Sequence, residues 1–183
     1  MKTLSSYKMT EADGIGLYVG TYGKYNSGSL FGMWIDLESV SDAEEFFEVC
    51  RSLHSDEADP EFMMQDFQGF PEAFYHESMS EDDVQKVLEY IALDDDDREM
   101  LEDFCECYGY DVTDEDLVEE ARGRSMGCYE SFRDFADQLA DEELACTNAP
   151  DFCTRYFDYE AFARDLKFDF SIGSNGYVFS DNG

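Results

Sequence analysis

At 183 residues the chain is long enough for one compact domain or for two to three small modules in series. It has 12 Lys and Arg against 45 Asp and Glu, a formal net charge of -33, which argues against direct nucleic-acid binding because phosphates are gripped by Lys and Arg. An aromatic content of 16% argues against a disordered acidic tail, so the chain is expected to fold despite its self-repulsion.

The opening MKTLSSYKMTEADG lacks the apolar segment of a signal peptide, and no stretch approaches membrane-spanning length. The expectation is a cytoplasmic protein with no membrane contact and with reduced cysteines at Cys50, Cys105, Cys107, Cys128, Cys146 and Cys153. Cys105-x-Cys107 is not the C-x-x-C spacing of zinc sites, and the histidines are His54 and His76 alone, so no metal site is expected.

Residues 1–13 carry no clear pattern and read as a flexible lead. Gly16 to Leu37 reads as two strands around a Gly/Asn/Ser turn. Ser41-x-x-Glu44 reads as a capping box before a helix with Phe46, Phe47, Cys50 and Leu53 on one face. Glu61 to Phe74 reads as a strand ending near Gly69 and Pro71. Ser80 opens a helix with Val84, Val87, Leu88 and Ile91 at helical spacing. The run Asp94 to Asp97 follows. Met100, Leu101, Phe104, Cys105 and Tyr108 then share a face that ends at Gly109. Thr113 and Asp116 start a short helix through Leu117, Val118 and Ala121, ending by Gly123. Tyr129, Phe132, Phe135, Ala136 and Leu139 mark another helix. Asp158 caps a helix that turns Phe162, Ala163 and Leu166 inward, and Asn175-Gly176 is the turn of a terminal hairpin. The fold class expected is α+β in three small, elongated modules. Residues 14–76 form a mixed module, 77–118 a central acidic helical module, and 119–183 a mixed module ending in the hairpin.

The four consecutive aspartates admit several readings. An EF-hand loop fails, because counting from Asp94 puts Arg98 at position 5 and Glu99 at position 6. Paired carboxylates divide acid and base roles only in a cleft that separates their pKa values, and no phosphate loop, nucleophile elbow or H-E-x-x-H accompanies them. No catalytic residue and no cofactor are therefore assigned, and the chain is not read as an enzyme. Capping fits locally: Asp94 as N-cap with Asp95 to Asp97 in the first turn, each charge favoured by about 0.3–1 kcal/mol. Globally, acidic residues recur on the faces away from the apolar stripes. These are Asp82, Asp83 and Glu89, then Asp94, Asp95, Asp96, Asp97, Glu99, Asp103 and Glu106, then Glu115, Glu119 and Glu120. A solvated helix face normally mixes signs to gain i,i+4 pairs. Here almost no pairing is expected, and the set resembles a polyanion. At about one charge per 1.7 Å of duplex axis, the net charge equals that of on the order of 55 Å of DNA.

Three blocks carry a family resemblance. YVGTYGKYNSGSLFGMWIDL (Tyr18 to Leu37), QDFQGFPEAF (Gln65 to Phe74) and RYFDYEAFARDLKFDFSIGSNGYVF (Arg155 to Phe179) resemble ArdA-type antirestriction proteins, in family order and around acidic helices. The turn Gly23, Lys24, Tyr25, Asn26 and Gly28 matches the family pattern and reads as a fold signature. The resemblance implies an elongated DNA mimic that homodimerises through its C-terminal part. It implies occupation of the DNA-binding groove of a type I restriction-modification enzyme (its methyltransferase/specificity core) and protection of incoming mobile DNA. Tyr159 is a candidate dimer contact, and the carboxylates above are the candidate phosphate mimics. The chain departs from the pattern in its dozen leading residues, its cysteine-rich middle, and the absence of a Gly-containing turn in Asp141 to Cys153. The alternative is an acidic adaptor or chaperone for a basic, nucleic-acid-associated protein.

Overall fold

A computed structural model of the chain describes residues 3–10, 14–114 and 116–182. The described residues form a mixed α+β structure with eight α-helices and two three-stranded antiparallel sheets. The chain divides between Leu93 and Asp94 into two compact units. The helices read as one acidic module fall on both sides of that division.

The first unit is built on β1 (Gly16–Thr21), which lies between β2 (Met33–Asp36) and β3 (Phe62–Gln68). Both neighbours run antiparallel, in the register Leu17 to Ile35 and Leu17 to Phe67. Leu17, Val19 and Ile35 are wholly buried, as expected for a central strand and its partner. The connection read as a simple turn contains a short helix, α1 (Tyr22–Asn26), whose N-cap Thr21 accepts the Lys24 amide. In the leading segment Tyr7 is buried, its hydroxyl donates to Glu45 Oε1 at 2.6 Å, and Lys8 bridges to Ile35.

Helix α2 (Ala43–Leu53) begins one residue later than expected. Asp42, not Ser41, is the N-cap, and its carboxylate accepts the Glu45 amide at 2.8 Å. Ser41 instead gives its amide and hydroxyl to Glu45. Either residue can cap, and the register that buries Ala43, Phe46, Phe47, Val49 and Cys50 decides between them. Helix α3 (Glu81–Ile91) starts at Ser80 as expected, with a full capping box to Asp83. It packs on α2, where its Gln85 accepts the Ala43 amide at 3.3 Å, with Val84, Val87 and Leu88 buried, and its Tyr90 meets Phe74 at 5.2 Å.

The second unit starts at Asp94, the N-cap of α4 (Asp95–Tyr108), and α4 ends at Gly109. Gly109 takes φ 73, a left-handed geometry that costs glycine little. Helix α5 (Leu117–Arg124) is entered through Asp116 at φ 64, while Thr113 closes a turn on Asp111 rather than starting the helix. Strand β4 (Ser125–Cys128) is only four residues long, with little apolar alternation, and was not expected. It pairs with β6 (Tyr177–Ser180), whose other edge pairs with β5 (Phe170–Ile172). Helix α6 (Phe132–Cys146) begins after Ser131, so Tyr129 precedes it and packs on Phe135. A short α7 (Asp151–Arg155) occupies the segment that lacks a glycine, and α8 (Tyr159–Leu166) is capped by Asp158.

Alternation along β6 builds two cores in this unit. Val178 faces Phe132, Phe135, Ala136 and Ala163 of α6 and α8. Phe179, on the opposite face, meets Phe104 of α4 at 5.2 Å. Each fully buried ring contributes about 1.5–3 kcal/mol.

Candidate partner-binding surface

The predicted carboxylates divide by what they touch. On α3, Asp82 and Glu89 are exposed, and Gln85 donates to Glu89 at 3.0 Å. Asp83 is engaged in folding: it accepts the Ser80 amide and hydroxyl, and His76 Nε2 lies 3.2 Å away. The Ser80 hydroxyl foremost, against some desolvation, holds Asp83 below the usual carboxylate range.

On α4, Asp94 caps the helix by accepting the Asp97 amide at 2.8 Å. Asp95 pairs with Arg98 at 2.7 Å. Asp97 pairs with Arg122, which also holds Glu119, and that guanidinium keeps Asp97 below its ordinary pKa. Glu120 pairs with Arg124 at 2.9 Å. Pairing is thus more frequent than expected, because Arg98, Arg122 and Arg124 each stand within reach of an acid. Glu115 lies outside the described residues. Among the described residues, the side chains of Asp82, Asp96 and Glu99 are exposed and make neither a hydrogen bond nor an ion pair.

Asp103 corrects the sequence reading. It is 0% exposed, and its carboxylate accepts the backbone amides of Asn175 at 2.8 Å and Tyr177 at 2.9 Å. Glu106, three residues on, accepts the Ser174 amide at 3.1 Å, and the Glu99 carbonyl accepts the Asn175 side-chain amide at 3.3 Å. Residues 99, 103 and 106 are one stripe of a helix. That stripe holds the β5–β6 turn, where free backbone N–H groups need acceptors. Asp103 therefore belongs to the interior and not to the surface set. A buried carboxylate that fixes two amides gives no signal in sequence, since it has the same spacing as its solvated neighbours.

Tyr159, the candidate dimer contact, is half-buried and donates its hydroxyl to Asp141 at 2.5 Å. Larger apolar exposure lies elsewhere: Phe152 is 70% exposed, Tyr156 73% and Phe168 82%. The rings of Phe152 and Tyr156 rest on one another at 5.6 Å, on a helix that sequence reasoning missed.

One constellation was not anticipated. His54, Asp56 and Glu57 come together at the end of α2, where their donor atoms lie within 4.8 Å of one another. The cation among them is the Lys24 ammonium, 2.9 Å from His54 Nδ1, 2.8 Å from Asp56 and 3.1 Å from Glu57. Lys24 stands in the Gly-Lys-Tyr-Asn turn, so the available signal was that motif together with the His-x-Asp-Glu spacing. Burial opposes the charge on Lys24, but Asp56 and Glu57 together outweigh it and raise its pKa. The cluster is thus an internal ion-pair site.

No helix among the described residues is long and apolar enough to cross a membrane. No curated protein matches the chain. The family model described as antirestriction protein (ArdA) matches residues 17–179. That span takes in both units and all three sequence blocks, and the chain belongs to the ArdA family of antirestriction proteins.

Proposed function

We propose that the protein is a DNA mimic, which inhibits a type I restriction-modification enzyme by placing carboxylates where its DNA-binding groove expects phosphates. The observation that carries the reading is the set of exposed carboxylates at Asp94, Asp95, Asp96 and Glu99, held on the first turns of a capped helix in a chain of charge -33. Charge fixed on a rigid helix lowers the ordering cost of binding and speeds encounter with a basic groove. Asp82, Glu89, Glu119 and Glu120 add exposed charge on other helices. Inhibition proceeds by occupancy, with no chemistry and no cofactor. The active species is a cytoplasmic homodimer formed through the second unit, and the exposed Phe152 and Tyr156 support that choice of surface more than Tyr159 does. Its biological setting is the protection of incoming mobile DNA.

The test is plating of unmodified phage on a type I restricting host, with and without the protein. Plating should rise with the wild type and fall back with the folded triple variant Asp95→Asn, Asp96→Asn, Glu99→Gln, which spares the buried Asp103. Undiminished protection by that variant would sink mimicry by this face. An adaptor for a basic protein would leave plating unchanged while still capturing its partner.

A further inference from the structure

The Lys24 cluster can do more than close the first unit. An ammonium only donates, so His54 Nδ1 must be the acceptor of Lys24. The ring proton then sits on Nε2, 3.3 Å from the Val19 carbonyl, which accepts it. Both faces of this buried imidazole are committed to its neutral form. A second proton would have to go on Nδ1, pointing at a cation 2.9 Å away. Lys24 would then have to give up that contact and keep only its carboxylate partners, Asp56 and Glu57.

What Lys24 holds is α1 and the loop after it. The amides of Ser27, Gly28 and Ser29 bond to carbonyls of Gly23, Lys24 and Tyr25, so this stretch is tied to the rest of the unit through α1, which the Lys24 ammonium anchors together with the Tyr22 amide on the Glu61 carbonyl and the Thr21 cap. The Lys24 ammonium also lies 4.8 Å from the Phe31 ring centre, and that ring meets His54 edge-on at 5.8 Å. The far end of the loop has its own tether, Tyr18 Oη to the Leu30 carbonyl at 3.0 Å. Tyr25, Leu30 and Phe31 are 49%, 69% and 51% exposed, so the loop presents apolar side chains that a change of conformation would redistribute.

Among the described residues, the groups facing His54 are few. Helix α1 contributes Lys24, and the turn after α2 contributes Asp56 and Glu57. Strand β1 contributes only the Val19 carbonyl, and the loop and β3 contribute the rings of Phe31 and Phe62. We propose that His54 and Lys24 form a pH-sensitive latch: neutral His54 helps to hold Lys24 and with it the 22–29 segment, and proton uptake by His54 breaks that contact and loosens the segment, leaving Lys24 on Asp56 and Glu57 alone.

Burial first, and then the Lys24 charge, hold His54 below its ordinary value of 6.5, against the opposing pull of Val19, Glu57 and Asp56. Such a group binds its proton more readily when freed. The latch is therefore fully closed above about 6.5 and weakens as pH falls from there toward the folded value.

The experiment is NMR on the full chain from pH 7.5 to pH 5. Ring nitrogen shifts should place the His54 proton on Nε2 at neutral pH. Protection factors of the Ser27, Gly28 and Ser29 amides, corrected for intrinsic exchange, should fall in step with His54 titration. The expected fall is about ten- to a hundredfold, the size of one charge-assisted hydrogen bond. In His54→Gln the protection should become independent of pH over the same range. If that variant does not fold, Lys24→Met supplies the second arm, with low protection at every pH. A proton on Nδ1 at neutral pH, or protection unchanged through the His54 titration, overturns the latch.

Discussion

The Asp103 carboxylate joins α4 to the β5–β6 turn by accepting the amides of Tyr177 and Asn175, 74 and 72 residues away in the chain. A buried carboxylate with two backbone donors is a strong acceptor, and removing it strands both N–H groups. Asp103→Ala should therefore lower unfolding free energy by about 2–6 kcal/mol, at about 1–3 kcal/mol for each stranded donor. Denaturant unfolding monitored on the second unit measures it, and a loss under 1 kcal/mol would contradict the assignment.

Gly173 is the counterpart of Asp103. A Cβ at that position would fall on the Asp103 side chain. Gly173→Ala should cost about 1–3 kcal/mol by overpacking. Paired with Asp103→Gly, the double variant should lose less than the sum of the two single losses, because the whole side chain that a Cβ at 173 would meet, its own Cβ included, is then gone. Strict additivity in that double-mutant cycle would show that the contact is not the cause.

The unpaired surface acids behave in the opposite sense. Asp82→Asn, Asp96→Asn and Glu99→Gln remove charge that has no partner among the described residues, and they relieve self-repulsion. Each should change stability by no more than about 0.5 kcal/mol, because the self-repulsion relieved at Asp82 and Asp96 is offset by the loss of a first-turn charge that the helix N-terminus favours. The same changes made together should weaken inhibition, and the residual inhibition should fall further with salt. Thermal melts at two ionic strengths, beside the plating assay, separate the folding acids from those on the surface.

The caps make a local prediction. Ser80→Ala removes the hydroxyl that Asp83 amide uses and one side of the capping box. Asp94→Ala removes the acceptor of the Asp97 amide. Each should cost about 1 kcal/mol. Ser80→Ala should also raise the Asp83 pKa toward 3.8, since the Ser80 hydroxyl is the main cause of its depression. Because a depressed carboxylate stabilises above its unfolded pKa, that contribution is present at neutral pH and is lost as pH falls below about 4. A carboxylate titration by NMR reads both effects.

Thiol reactivity should follow burial. Cys128, Cys146 and Cys153 are exposed and should react with a thiol reagent at pH 8 without unfolding. Cys105 and Cys107 are half-buried, and desolvation with nearby acids pushes both thiols up to about 11, so they should react slowly. Cys50 is fully buried, with its thiol raised further by desolvation, and should react only on unfolding. Mass spectrometry of timed alkylation gives the order, and early labelling of Cys50 would contradict the packing of α2.

Periodicity and capping chemistry are local, and they were legible. The apolar stripe from Val84 to Ile91, the caps at Ser80, Asp94 and Asp158, and the stop at Gly109 all depend on residues within a turn or two. Strand β4 was not legible, because Ser125 to Cys128 has little apolar alternation and is a strand only by pairing with β6. The start of α2 was off by one because Ser41 and Asp42 are both competent caps. Within the candidate surface, the types and spacing of the acids were readable, but their engagement was not: Arg122 reaches Asp97 over 25 residues of chain.

The sequence by itself determined the family, the α+β class, the caps at Ser80, Asp94 and Asp158 and the excess negative charge, since each follows from composition, from short-range pattern or from ordered motif blocks. Only the tertiary structure decided which carboxylates are available to a partner. Asp103, Asp96 and Glu99 share one helix and similar spacing, yet long-range contacts bury the first against backbone donors and leave the others in water. The same holds for Lys24, whose partners come from the far end of α2. Charge is written residue by residue, but desolvation is set by what the fold brings beside it.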